Sequence, residues 1–161
     1  CLSSYAFIKI TDYFASMIAL EFPVPDFKLK KSEKGPEIWD IIRKKWIILQ
    51  PEEWVRQNFI NWMMKVQLVP AAYISVEKGL NDNSNKRYDI LVFDQSHQPW
   101  MIVECKSSDV KLDEKVLMQI LAYHRTLQVQ FIAITNGNEC FVADIKKANQ
   151  PWLASFPKFY I

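Results

Sequence analysis

Asp89, Glu104 and Lys106 are the side chains of this sequence whose types and spacing suit chemistry. They sit in two apolar, β-branched and aromatic runs, RYDILVF (Arg87 to Phe93) and PWMIVECK (Pro99 to Lys106), separated by the turn-forming DQSHQ. Such a pattern predicts a β-hairpin. If Phe93 pairs with Trp100 across the turn, antiparallel pairing keeps the paired residue numbers summing to a constant, and Asp89 falls directly opposite Glu104. Directly opposed Cβ atoms lie roughly 4.5–5.5 Å apart, so two carboxylates there repel unless something positive sits between them. A divalent cation is the obvious candidate. Lys106 shares the face of Glu104 because side chains alternate along a strand, whereas Cys105 points the other way. Charges inside so apolar a hairpin are costly without partners, and that cost is the reason to suspect function.

The elements that must position these residues flank the hairpin. Pro51 opens a helix, with Glu52 and Glu53 near the positive end of its dipole, although Gln50 is a poor N-cap. Val55, Phe59, Trp62 and Val66 recur at helical spacing as its buried stripe, and Glu53 lies beside them. By residue type alone, Glu53 reads as a first-turn carboxylate favoured by the dipole. AAYISVEKGL (Ala71 to Leu80) is expected as the first core strand, with Glu77 facing solvent, followed by the polar loop NDNSNK. After the hairpin, a helix is predicted from about Leu112 or Asp113, with Leu112, Val116, Gln119, Ile120, Tyr123 and Leu127 on one face. Gln119 interrupts that apolar stripe and by type alone reads as a boundary glutamine. His124 is expected to face elsewhere and His97 to sit in the hairpin turn, so neither is enlisted. VQFIAITNG (Val129 to Gly137) and ECFVADI (Glu139 to Ile145) then read as two strands joined at Asn136-Gly137, and the tail from Pro151 wraps the core.

Asp89, fourteen intervening residues, then Glu104-Cys105-Lys106 resembles the D-x(n)-E-x-K signature of the PD-(D/E)XK nuclease superfamily. Gln119 and Tyr123 are similar to the Q-x(3)-Y element of the branch that includes RecB-type nucleases and the type I restriction R subunit. PEEWVRQNFINWM, with its E-x-x-R at Glu53 and Arg56, resembles the helix that opens the N-terminal nuclease domain of those R subunits. The likeness spans residues 37 to 145. A bare D…E-x-K occurs by chance in many proteins; strand context and the two flanking elements make the combination specific. Tyr88 stands where the superfamily usually has proline.

The resemblance implies an α/β, restriction-endonuclease-like core in the order helix, three-stranded meander, helix, strand, with a mixed sheet flanked by helices. It implies hydrolysis of DNA phosphodiester bonds with Mg²⁺ or Mn²⁺ held by Asp89, Glu104 and the backbone carbonyl of Cys105. Lys106 then positions the nucleophilic water or neutralises developing charge, and Glu53 is a third active-site carboxylate. Arg56 orients Glu53 or meets a phosphate, and Gln119 and Tyr123 help place Lys106 or the substrate phosphate. Cys105 itself reads as a packed small hydrophobe.

The bulk properties bound these readings. A length of 161 residues suits one packed domain, and a net charge of +2 does not by itself suggest DNA. Three cysteines without a C-x-x-C pair indicate neither a disulfide framework nor a zinc site, which fits the cytoplasm. Residues 1–36 read as an accessory arm and linker, and residues 37–161 as the nuclease-like domain. The first twenty-two residues are apolar but interrupted by Lys9, Asp12 and Glu21, so no membrane span is expected; the arm is a candidate homodimer surface. Residues 23–36 read as a Pro- and Lys-rich linker whose Lys28, Lys30, Lys31 and Lys34 more often mark a solvated surface than a phosphate site, and EIWDIIRKKW as a short amphipathic helix. Starting on Cys, the chain is expected to lack its true beginning. It carries no Walker-type run, so a stand-alone relative or a fragment is expected, with specificity from motor or specificity partner proteins, DNA structure or the arm. Two further classes stay open: a non-catalytic nucleic-acid-binding module that retains the nuclease fold, and an interaction protein whose charges form a buried ion pair.

Overall fold

The computed structural model describes residues 17–78, 87–124, 128–147 and 151–160. Among them, eight strands and two α-helices form in the order β1 (Leu29–Ser32), β2 (Gly35–Asp40), β3 (Lys45–Ile48), α1 (Pro51–Lys65), β4 (Ile74–Lys78), β5 (Tyr88–Phe93), β6 (Pro99–Cys105), α2 (Glu114–His124), β7 (Phe131–Thr135) and β8 (Cys140–Asp144). The fold is α/β. Strands β4 to β8 make one sheet in sequential order, antiparallel from β4 to β6, parallel between β6 and β7, and antiparallel again to β8. The parallel step is the one that needs a crossover, and α2 supplies it.

The continuous apolar centres of β5, β6 and β7 are explained by cover on both faces. On one face Ile90, Val92, Met101, Val103, Phe131 and Ala133 pack with Val55, Phe59, Ile60 and Met63 of α1. On the other, Leu91, Ile102, Ile132 and Ile134 pack with Leu117, Ile120 and Leu121 of α2. The expected order of helix, meander, helix and strand is present, with β8 added at the edge.

The hairpin register has one adjustment. Ile90 pairs with Val103 and Val92 with Met101, the frame in which Asp89 comes next opposite Glu104. A bulge between Val92 and Phe93 leaves Phe93 opposite Pro99 rather than Trp100, and at the charged end the pairing stops at Ile90 and Val103, short of Asp89 and Glu104.

Residues 29–48 depart most from expectation. The segment taken as linker and short helix forms an antiparallel three-stranded sheet, β1-β2-β3. EIWDIIRKKW is strand, turn and strand because Asp40 turns its carboxylate onto local amides: Oδ1 accepts from the backbone N–H of Ile42 at 2.8 Å and of Arg43 at 2.7 Å. That is a turn-forming competitor to helix. Lys44, at φ +53°, completes the reversal. The helical spacing of apolar residues there was coincidental with two strand faces.

Helix α1 buries its expected face, whereas α2 is shifted in phase. Along α1, Val55, Phe59 and Trp62 are buried as expected, but Val66 lies past the helix end and is exposed. Helix α2 starts at Glu114, with Asp113 Oδ1 accepting the Val116 N–H at 2.9 Å. Leu112 is buried but belongs to the preceding coil, so the helix buries Leu117 and His124 most deeply and leaves Gln119 exposed. Residues 1–16, which include most of the proposed dimerisation arm, and the loop at 81–86 lie outside the described residues. No helix of the described residues is long and apolar enough to cross a membrane.

Candidate active site

The first half of α1 carries Glu53, Arg56 and Gln57, spaced so that all three project from one side of the helix. All three are buried. Helix dipole and sequence position favour an acid at Glu53, but its surroundings, not the dipole, decide its role. Glu53 Oε1 accepts from Arg43 Nη2 at 2.7 Å and Gln57 Nε2 at 2.9 Å, and Oε2 accepts from Arg56 Nη1 at 2.5 Å. Three donors thus converge on one carboxylate.

Arg56 carries this arrangement to the sheet. Its Nη2 donates to Asp89 Oδ1 at 2.8 Å and approaches Glu52 at 3.3 Å, while Nη1 also reaches Glu77 Oε1 at 3.4 Å. Asp89 Oδ2 accepts the backbone N–H of Cys105 at 2.7 Å. The Asp89 carboxylate is therefore turned along the sheet onto the Glu104–Cys105 peptide. Burial pushes Asp89 up to about 6; the Cys105 amide and the Arg56 guanidinium pull the other way, and the charges of Glu104 and Glu52 add to the rise. An aspartate that resists ionisation while bonded to a guanidinium is short of positive charge.

Glu104 takes a different partner. His124 Nε2 donates to its Oε1 at 2.9 Å, and the imidazole is buried against the Tyr88 ring with centroids 5.5 Å apart. Sequence reasoning set His124 aside by assigning α2 the wrong buried line; counted from Leu117, His124 lies two turns on and inward. The groups that partner the two acids are thus Arg56 from α1 and His124 from α2, on helices covering opposite faces of the sheet.

Lys106 follows directly after β6, half-buried, with its backbone N–H donated to Thr135 O at 2.8 Å. It forms no ion pair with a carboxylate among the described residues. Gln119 lies on the solvent side of α2, and the side chain of Tyr123 falls outside what is described. Glu77, expected to face solvent, is exposed yet accepts from Arg43 Nη1 at 2.7 Å. The Cys105 thiol is pushed well above its ordinary range by burial and then by the charge of Asp89, so it stays protonated. It is no nucleophile.

The second arginine of the network comes from the small sheet. Arg43, in the β2–β3 turn, bonds Asp40 through Nε at 2.5 Å, Glu53 through Nη2 and Glu77 through Nη1. Asp40 is fully buried; burial opposes its ionisation, yet the Arg43 backbone and side chain and the Gln57 amide outweigh that and hold it below the ordinary range. Five carboxylates, Asp40, Glu52, Glu53, Glu77 and Asp89, consequently surround two guanidinium groups, and Glu104 bonds His124 instead.

This donor set favours a hard cation. The side-chain ligands on offer at the strand ends are carboxylate oxygens, and the nearest sulfur is a buried thiol that keeps its proton. No group of three or more His, Cys, Asp or Glu among the described residues is arranged to hold a metal alone. Two carboxylates with the remaining positions left to water and phosphate are what Mg²⁺ commonly accepts.

No curated protein matches the chain. A family model described as Type I restriction enzyme R protein N terminus (HSDR_N) matches residues 51–157, which take in α1, the whole five-stranded sheet and every acid of the site except Asp40. With well over half of its length matched, the chain belongs to that family.

Proposed function

We propose that this protein is a metal-dependent DNA endonuclease that hydrolyses phosphodiester bonds at the strand ends bearing Asp89, Glu104 and Lys106. The observation that carries this reading is the placement of the Asp89 carboxylate against the Glu104–Cys105 peptide, within a group of five acids and two arginines. Asp89 and Glu104, with the Cys105 carbonyl, would hold Mg²⁺ or Mn²⁺, which when bound supplies Lewis-acid polarisation of the phosphodiester and a more acidic water.

The chain's own groups have separate tasks. Arg56 and the Cys105 amide fix both oxygens of Asp89, so its orientation is set before any substrate arrives. Glu53, held by three donors, keeps Arg56 in place and so acts as a positioning residue. Lys106, which forms no ion pair among the described residues, is available to orient the attacking water or to meet negative charge growing on the phosphate oxygens. His124 fixes one oxygen of Glu104. Gln119, on the open side of α2, would meet a phosphate rather than the reacting atoms, and Tyr123 is proposed beside it on the family likeness alone.

DNA is the proposed substrate, and the R-subunit relationship makes motor and specificity proteins the proposed partners. Two buried free cysteines, Cys105 and Cys140, suit the reducing cytoplasm proposed as its location. A second reading has its own support: Arg56 at 2.8 Å from Asp89 and His124 at 2.9 Å from Glu104 already partner both acids, as a non-catalytic module would require.

The deciding experiment incubates linear, nicked, branched and single-stranded DNA with Mn²⁺ and wild type, Lys106→Ala or Asp89→Asn protein. Cleavage by wild type and none by either folded variant is expected. Wild-type rates in either variant reject the site, and binding without cleavage by wild type favours the second reading.

A further inference from the structure

The sheet β1-β2-β3 precedes the family match, and its outer face has no use in the site described above. Register and alternation place Lys30, Glu37, Trp39, Trp46 and Ile48 on one face. The opposite face carries Ile38 and Asp40, both fully buried, so the tryptophan face points outward. Trp39 and Trp46 are directly paired across β2 and β3, half-buried, with ring centroids 5.5 Å apart at 69°, and they join neither apolar core. Lys30 Nζ sits 4.4 Å from the Trp46 ring centroid and 2.9 Å from Glu37 Oε2, the one acid on this face, which it neutralises.

The charge of the segment is as uneven as its aromatic content. Residues 28–45 hold seven cations, Lys28, Lys30, Lys31, Lys34, Arg43, Lys44 and Lys45, against three acids, Glu33, Glu37 and Asp40. That is a net +4 in a chain of total +2, so the remainder carries −2. Arg43 and Asp40 are spent on the buried network, but the six lysines are exposed. Paired aromatics on an outward sheet face with flanking lysines suit unstacked bases joined by phosphates; a duplex, whose bases are already stacked, offers such rings nothing to stack on.

We propose that the outer face of β1-β2-β3 binds a single-stranded segment of DNA, with Trp46 and Trp39 stacking on bases and the surrounding lysines meeting phosphates. The turn joining β2 and β3 is tied to the site through Arg43, 2.7 Å from both Glu53 and Glu77, so a strand lying on the sheet is led toward Asp89 and Glu104. This names the substrate form of the nuclease site and rests on that reading for where the strand leads, not for the binding itself.

The test uses the full chain in EDTA at low salt and follows anisotropy of a labelled oligothymidylate of about twenty nucleotides. Wild type is expected to bind it, to favour it over a duplex of equal length and to lose tryptophan fluorescence on binding. Trp46→Ala should weaken binding about tenfold, the size of one lost base stack. The double variant Lys28→Gln/Lys30→Gln alters exposed residues on the tryptophan side and decides the matter if Trp46→Ala does not fold; it should flatten the dependence of log K on log salt by about 1.4. Absence of binding by wild type, equal preference for duplex, or wild-type affinity and salt dependence in the lysine variant overturns the proposal. Mn²⁺-dependent cleavage is scored separately. Binding that needs Trp46 and the lysines, without cleavage, upholds the platform and removes the nuclease; cleavage with binding indifferent to these residues does the reverse.

Discussion

Asp89→Asn tests the electrostatics of the site without relying on activity. In the metal-free protein, burial and the neighbouring acids push Asp89 from 3.8 up to about 6. The carboxylate is only 17% exposed, so solvent screening takes little from this effect. The difference corresponds to roughly 3 kcal/mol. Because the folded state holds the proton more tightly than the unfolded chain, this contribution is fully present below about pH 4 and is lost as pH rises through 6. Asparagine never ionises. The stability of wild type relative to Asp89→Asn should therefore fall by about 2.5 kcal/mol between pH 4 and pH 8, whatever constant offset the substitution brings. Urea unfolding of both proteins in EDTA, repeated at half-unit pH intervals, measures the difference directly, and titrations elsewhere largely cancel. A cation binding at Asp89 should reverse the loss, so millimolar Mg²⁺ at pH 8 should stabilise wild type and leave the variant unmoved. A difference that stays flat with pH, or that grows as pH rises, would show that Arg56 and the Cys105 amide satisfy Asp89 fully and that the site has no shortage of positive charge.

Three other perturbations bear on separate parts of the argument. Arg43→Ala takes the countercharge from the fully buried Asp40 and removes one of the donors of Glu53, so a loss of about 3–5 kcal/mol is expected in urea unfolding, with Arg43→Lys recovering only part because a lysine cannot fork among three acids. Lys106→Ala, by contrast, breaks no ion pair among the described residues and should leave stability within about 0.5 kcal/mol while Mn²⁺-dependent cleavage falls at least a hundredfold. Gly137→Ala must keep φ near +88° and place a methyl 3.3 Å from Val55 Cγ2, so thermal unfolding should register a cost of about 1–2 kcal/mol.

The core sheet and helix α1 were legible in the sequence because each rests on short-range patterns. Alternating and continuous apolar runs specify strands, Asn136-Gly137 specifies a reversal, and Pro51 followed by two acids starts a helix whatever surrounds it. The hairpin frame from Ile90 opposite Val103 to Val92 opposite Met101 also matches expectation despite the error at Phe93, since the bulge sits at the turn end. Where reading failed, two structures shared one pattern. Residues 37–46 have helical apolar spacing, and only the carboxylate of Asp40, turned onto its own chain and locked by Gln57 from α1 at 2.8 Å, makes them strand and turn.

What the amino-acid order determined by itself was a set of reactive side chains on named elements: two acids and a lysine on neighbouring strands, and an E-x-x-R pair on the preceding helix. Which charge satisfies which was decided only in three dimensions. Arg56 bonds Asp89, thirty-three positions away, Arg43 reaches Glu77 across thirty-four, and His124 turns inward to Glu104. The reason is physical: apolar periodicity is a local property of a strand or helix, but a buried charge is stable only beside a partner, and the packing of α1, α2 and the small sheet selects that partner.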